Sequence, residues 1–153
     1  MDKIRRIFPL LILFTLLSCA DTIETRIPYR AVYLELDLTY QDKALKATLA
    51  YKIYTQKNVD QANEQTGFGG VLVYHGLPDA FFAFDAACPH EASSNTIVEV
   101  DESGLYAICP KCGSKFDISY GNGNPVEGPC AEEKQALKQY VVDTNGNKIY
   151  IHN

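Results

Sequence analysis

Residues 105–118 read LYAICPKCGSKFDI and place a loop with two cysteines between two short apolar runs. The runs, Leu105–Ile108 and Phe116–Ile118, have the length and composition of short strands. The loop between them contains proline and glycine, which favour a turn. The segment therefore predicts two strands that present the thiols of Cys109 and Cys112 from the loop that joins them.

A second loop with candidate ligands lies upstream. Cys88-Pro89-His90 follows the apolar run Phe81–Phe84. The segment between His90 and Cys109 is long enough for a strand, a turn and a second strand, which would return the chain to the same end of a sheet. The two loops would then offer one Cys/His pair and one Cys/Cys pair.

The rest of the chain also has the periodicity of strands. Apolar residues alternate with polar ones over Val32–Tyr40 and again over Leu45–Ile53. Asn145-Gly146-Asn147 lies between two further runs and predicts a hairpin. Only Ala131–Gln139 looks helical, and His75 and His152 are interpreted as surface residues. The remaining strand-like runs are Val71–Tyr74, Ile97–Val100, Tyr140–Asp143 and Lys148–Ile151. Many short strands separated by turns predict an all-β domain, a small antiparallel sandwich or barrel.

The two loops together resemble the Rieske family. That family binds a [2Fe–2S] cluster between a Cys-x-His loop and a Cys-x-x-His loop that is followed by Gly-Ser. Cys88, His90 and Cys109 fall on three ligand positions, and Gly113-Ser114 matches the residues after the fourth. The fourth position itself is Cys112, where the family has histidine.

The resemblance continues downstream and covers roughly residues 71–151. Lys115-Phe116-Asp117 looks like the Phe-Asp strand of the family, and Pro125–Pro129 looks like its proline-rich cover loop. In the family's terms, Ser114 would hydrogen-bond a cluster sulfur and Pro129 would belong to the cover over the cluster. Lys111, between two thiolates, would offset part of their charge.

The resemblance implies an electron carrier rather than an enzyme, although the chain could also serve as a component of an oxidoreductase. The cluster ligands would be Cys88, His90, Cys109 and Cys112, with the His90 side facing an unknown redox partner. A third thiolate adds negative charge and disfavours reduction. We therefore expect a potential between those of Rieske centres and those of all-thiolate ferredoxins. A histidine ligand would also make the potential depend on pH.

Two other interpretations of the cysteines remain open. Cys-Pro-Lys-Cys-Gly is also what one knuckle of a zinc ribbon looks like, and Cys₃His is a common structural zinc set. In an exported protein the four cysteines could instead form disulfides, for example between Cys130 and Cys109 or Cys112. The protein would then be a binding or structural module that has the fold without a redox cluster.

The amino terminus predicts export and lipidation. Three cations precede an apolar run from Ile7 to Leu17, which is too short to cross a bilayer and describes a secretory signal. The run ends in Leu16-Leu17-Ser18-Cys19, which resembles the lipobox of bacterial lipoproteins. That resemblance implies cleavage before Cys19 and a lipid anchor on its sulfur. We expect a membrane-anchored protein of the bacterial cell envelope.

Composition supports one domain and excludes one class of partner. We divide the chain into a signal peptide (1–18), a lipidated tether (19–28) and a β domain (29–153) with the cluster loops at about 86–130. The net charge is −5 even with the cationic leader included, so we expect no nucleic-acid partner. No nucleophile–base pair or phosphate loop is recognisable. The sequence therefore predicts a membrane-anchored iron–sulfur lipoprotein in electron transfer or redox sensing.

Overall fold

The computed structural model describes residues 25–153, so the predicted signal peptide, Cys19 and the first part of the tether lie outside the described residues. The described chain is built almost entirely of short strands. They are β1 (Val32–Asp37), β2 (Tyr51–Tyr54), β3 (Gln65–Thr66), β4 (Val71–Gly76), β5 (Ala80–Asp85), β6 (Glu99–Val100), β7 (Tyr106–Ile108), β8 (Lys115–Asp117), β9 (Asn124–Glu127), β10 (Gln139–Asn145) and β11 (Lys148–His152). One α-helical turn, α1 (Pro129–Glu132), and one 3₁₀ turn (Lys43–Lys46) complete the elements.

The larger of two antiparallel sheets contains seven strands in the order β2-β4-β5-β10-β11-β1-β3. Two of its strand pairs, β4–β5 and β10–β11, are hairpins whose strands follow each other in the sequence. Turn residues therefore lie between the two strands of each pair. The inner face packs an aliphatic core around Leu34, Leu36, Val73 and Ile149. No cysteine belongs to this core cluster of the described residues.

The smaller sheet contains four strands in the order β6-β7-β8-β9. It shares a second core with the other face of β4 and β5, where Tyr74, Phe84 and Phe116 are fully buried. Cys88, Cys109 and Cys130 belong to this second core. The second cysteine loop thus joins two strands of the small sheet, and the first cysteine loop joins the end of β5 in the large sheet to β6 in the small sheet.

The all-β class and the antiparallel arrangement are confirmed, but two local predictions were wrong. Residues 45–53 do not form one strand, because Lys43–Lys46 make a 3₁₀ turn and Leu49 has a left-handed φ of 66°, which interrupts the extended chain before β2. The helical turn expected within Ala131–Gln139 lies earlier in the chain, over Pro129–Glu132. It ends where Lys134 adopts a φ of 54° and the Gln135 N–H bonds back to the carbonyl of Cys130.

The prediction that His75 lies at the surface was also wrong. His75 is buried rather than at the surface, with Nδ1 2.9 Å from the carbonyl oxygen of Leu45 and its ring stacked on Phe81. Burial is compatible with its polar ring because Phe81 stacks on the ring face, the Leu45 carbonyl binds Nδ1, and Asp79 Oδ1 lies 2.7 Å from Nε2. His152 is partly exposed and lies 3.0 Å from Asp143. Among residues 25–153, no helix is long and apolar enough to cross a membrane.

Asp85, at the end of β5, is a fully buried carboxylate that accepts four hydrogen bonds. The backbone N–H groups of Phe68, Gly69 and Ala87 donate to it at 2.9, 3.0 and 2.9 Å, and the Tyr140 hydroxyl donates at 2.6 Å. A Cβ at Gly69 would lie 2.6 Å from the Cβ of Ala87, so only glycine lets this loop approach. The carboxylate therefore joins the 67–70 loop, β10 and the chain that enters the first cysteine loop.

We expect Asp85→Asn to lower the free energy of unfolding by about 2–4 kcal/mol, because the amide nitrogen cannot accept and opposes at least one buried donor. Tyr140→Phe removes one of the four donors and should cost about 1–2 kcal/mol. Urea unfolding of both variants measures the two effects. Equal losses in the two variants would contradict the role of Asp85 as a shared acceptor.

Candidate metal centre

The first cysteine loop leaves the large sheet directly after Asp85. Ala86 to Cys88 are fully buried, and the Cys88 N–H bonds to the carbonyl of Thr96 at 2.9 Å. The carbonyl of Cys88 accepts the Ala92 N–H at 2.9 Å, which closes a tight turn around Pro89 and His90. Backbone hydrogen bonds on both sides of Cys88 therefore fix the position of its side chain.

The second loop connects β7 and β8 and is equally tight. The Cys109 N–H donates to the carbonyl of Ser114 at 2.9 Å, and the Gly113 N–H donates to the carbonyl of Cys109 at 3.0 Å. Gly113 has a φ of 73°, a left-handed conformation that glycine adopts without strain. The loop thus turns Cys109 and Cys112 to the same side.

The three thiols of Cys88, Cys109 and Cys112 meet at one point, with their sulfur atoms all within 4.8 Å of one another. The Sγ atoms of Cys88 and Cys112 are 3.6 Å apart. Two thiolates on one tetrahedral ion with bonds of about 2.3 Å would lie about 3.8 Å apart. Backbone N–H groups point at the sulfurs, from Glu91 to Cys88 and from Lys111 and Cys112 to Cys109. Such donors stabilise thiolate ligands.

Burial governs the protonation of these thiols. It raises the pKa of Cys109 to about 12. The pKa of Cys88 is raised by its hydrogen bond to Cys130 and then by burial. Without an ion both groups keep their protons at neutral pH, so a metal that binds here must displace them.

Cys130 and Ser114 extend the group of thiols. Both residues are fully buried, and the Cys130 N–H donates to the Ser114 hydroxyl oxygen at 3.0 Å. That oxygen also lies 3.2 Å from the Sγ of Cys112. The Ser114 hydroxyl therefore links the backbone of Cys130 to the sulfur of Cys112. The hydrogen bond from Cys88 lowers the pKa of Cys130 to about 7.

His90, the fourth ligand predicted from sequence, lies at the edge of the thiol group and not within the set of three sulfurs. Its Nδ1 is 3.1 Å from Glu133 Oε2, and Arg26 pairs with the same oxygen at 3.1 Å. The hydrogen bond to Glu133 raises the pKa of His90, and the same contact lowers the pKa of Glu133. Glu133 therefore contacts both His90 and Arg26.

The other two predicted neighbours of the cofactor occupy different positions. Lys111 is exposed and forms an ion pair with Glu91, so part of its charge is neutralised within the first loop. Pro129 is half-buried and begins α1 directly before Cys130. The described chain thus brings the three cysteines and Ser114 together, and places Lys111 and Pro129 around them.

The chain is similar in structure to ferredoxins of Rieske type. One solved structure, the complex of reduced oxygenase and oxidized ferredoxin in carbazole 1,9a-dioxygenase, matches with a TM-score of 0.50 at 18% identity, over 80% of this chain and 94% of that chain. The ferredoxin of carbazole 1,9a-dioxygenase from Nocardioides aromaticivorans IC177 matches with a TM-score of 0.46 at 20% identity, over 80% and 95%. No protein-family model and no curated protein matches the sequence. At this identity the likeness concerns the fold, and the Rieske-like all-β fold is confirmed.

The donor set fits a thiophilic metal or an iron–sulfur cluster. Three free thiols converge from two hydrogen-bonded loops, and amide groups face their sulfurs. Soft thiolate ligands select zinc, copper(I) and iron–sulfur clusters over magnesium or calcium. Sequence reasoning missed Glu133, Arg26 and the contact of Cys130 because each joins the site across a long chain separation, and a single sequence carries no signal for such contacts.

Gly128 holds the segment before Cys130 against the second loop. Its φ of 78° and ψ of −171° belong to a region that only glycine populates readily, and a Cβ there would lie 2.8 Å from the Cα of Ser114. We expect Gly128→Ala to destabilise the protein by about 2–4 kcal/mol and to weaken metal retention, since strain and clash both act at the site.

Gly146→Ala is the matched control for this substitution. Gly146 also has a left-handed φ, of 61°, but a Cβ there would meet nothing within 4 Å. We expect a loss of about 1 kcal/mol with unchanged metal retention. Thermal unfolding and metal analysis of both variants test the difference, and equal metal loss in the two would contradict a specific role for Gly128.

Proposed function

We propose that the protein is an iron–sulfur electron carrier of Rieske-like fold, anchored to a membrane of the bacterial cell envelope through lipid on Cys19. The observation that carries the proposal is the convergence of Cys88, Cys109 and Cys112 from two loops at one end of the fold. The likeness in fold to a ferredoxin supports the same class of function.

The proposed cofactor is a [2Fe–2S] cluster. Such a cluster accepts and returns one electron. The residues of this chain would bind it, exclude water from its buried side through Cys88 and Cys109, and leave the half-buried Cys112 nearest to solvent. A redox protein would then approach on the side of Cys112 and His90. The ferredoxin seen in complex with an oxygenase supports a partner of that kind.

The fourth ligand would set the potential. Cluster iron and sulfide together carry two positive charges when oxidised, so three thiolates leave −1 and four leave −2. With His90 as fourth ligand, as the sequence predicts, the potential should fall between the Rieske range of roughly −150 to +300 mV and the value of about −400 mV for plant-type ferredoxins. A fourth thiolate should bring it close to the latter value.

The first test is the composition of the bound metal. We expect the full chain, purified in detergent without oxygen from iron-supplied cells, to contain two irons and two acid-labile sulfides, with visible absorption and a reduced-state EPR signal. A Cys88→Ser/Cys109→Ser variant should be colourless, because only one sulfur of the converged set would remain.

Two outcomes would contradict the proposal. One zinc per chain without sulfide would make the site structural, and the 3.6 Å separation of Cys88 and Cys112 sulfurs is compatible with a single ion. Protein without metal, after cluster reconstitution has also failed, would leave a binding or structural module of the same fold.

The membrane anchor is tested separately. We expect the wild-type chain expressed in a bacterium to fractionate with membranes and to incorporate labelled fatty acid. Cys19→Ser should abolish the fatty-acid labelling, because the thioether lipid has no other attachment point, and should leave the signal peptide uncleaved. Equal labelling of the two proteins would contradict lipidation at Cys19.

A further inference from the structure

Cys130 is a fourth buried thiol whose contacts connect it to all parts of the proposed site. Its side chain packs in the same buried core as Cys88 and Cys109, where its thiol interacts with that of Cys88 and with the backbone N–H of His90. Its own N–H binds the Ser114 hydroxyl, which in turn lies 3.2 Å from Cys112 Sγ. Cys88 and Cys109 make the same kinds of contact, sulfur to sulfur and N–H to sulfur.

The local backbone fixes Cys130 in this position. Gly128 packs against the second loop, and Pro129 starts the helical turn that contains Cys130. The carbonyl of Cys130 accepts the Gln135 N–H at 2.8 Å. Hydrogen bonds therefore hold the residue on both its amide and its carbonyl side, as they hold Cys88 and Cys109.

His90 is engaged elsewhere. Its Nδ1 is bound to Glu133, which also pairs with Arg26, and one third of the His90 side chain is open to solvent. The contact with Glu133 leaves Nε2 as the nitrogen that could face a metal, and neither ring nitrogen belongs to the group of ligand atoms that lie within 4.8 Å of one another. In this geometry the imidazole is a partner of Glu133 at the edge of the thiols.

We propose that Cys130 is the fourth ligand of the site, which then consists of Cys88, Cys109, Cys112 and Cys130, with His90 outside it. The inference rests on the proposed metal site but not on which metal fills it. Cys130 is not one of the three residues whose sulfur atoms all lie within 4.8 Å of one another, and it would supply its thiolate from the side of Cys88.

Cobalt(II) provides a test that does not depend on cluster assembly. Added to the metal-free, reduced full chain in detergent, Co²⁺ should give charge-transfer absorbance from four thiolates. Cys130→Ala should lower that absorbance by about a quarter, because each thiolate contributes separately, and should weaken Co²⁺ affinity by at least ~100-fold. His90→Ala should leave both unchanged.

The iron-loaded protein gives a second readout. Pulsed EPR of the reduced wild-type centre should show no strong nitrogen coupling, and its potential should not change with pH in the range where imidazole titrates. Strong nitrogen coupling that disappears in His90→Ala, together with unchanged cobalt absorbance in Cys130→Ala, would overturn the proposal. So would a disulfide between Cys88 and Cys130 in the protein isolated with its metal.

The cobalt and EPR experiments distinguish two failures: that Cys130 is not a ligand, and that the protein is not an electron carrier. Four-thiolate cobalt binding without iron–sulfur assembly would uphold Cys130 as a ligand and remove the electron-carrier function. An assembled cluster with a histidine ligand would do the opposite. Circular dichroism of Cys130→Ala and Cys130→Ser identifies any variant that fails to fold, and the variant that retains the wild-type spectrum provides the comparison.

Discussion

The carboxylate of Asp85 is the interaction on which the position of the site depends. Asp85 ends β5 with no exposed surface, and its four donors come from three separate segments of the chain. One of them is the N–H of Ala87, the residue before Cys88. A buried acceptor of this kind is costly unless every lone pair is used, so the segments around it can adopt few other arrangements. The first cysteine loop therefore starts from a rigid point of the large sheet.

Local patterns in the sequence were sufficient to predict the class of fold. Alternation predicted β1, and the Asn-Gly-Asn turn predicted the β10–β11 hairpin, because both signals are contained in a few neighbouring residues. The alternation over residues 45–53 was misleading. Leu45 is buried in a 3₁₀ turn, and Leu49 has a left-handed backbone, which hydrophobic period alone does not reveal.

The site was predictable to the extent that its residues lie in compact motifs. The two loops were recognised from Cys-Pro-His and Cys-Pro-Lys-Cys-Gly-Ser, and the thiols of both converge. The resemblance assigned His90 a ligand position. Whether His90 can ligate a metal depends on the orientation of its side chain. Glu133 binds its Nδ1, and Arg26 pairs with the same Glu133 oxygen, both from distant parts of the chain. Cys130 follows the cover-loop motif but has no ligand position in it, and only the fold brings it against Cys88.

The division of the interior into two cores has a consequence for which part of the fold a bound metal would hold. The core of the large sheet contains no cysteine, whereas the second core is built around three of them. A metal bound between the two loops would therefore cross-link only the core that contains the thiols, and the core of the large sheet would not depend on it.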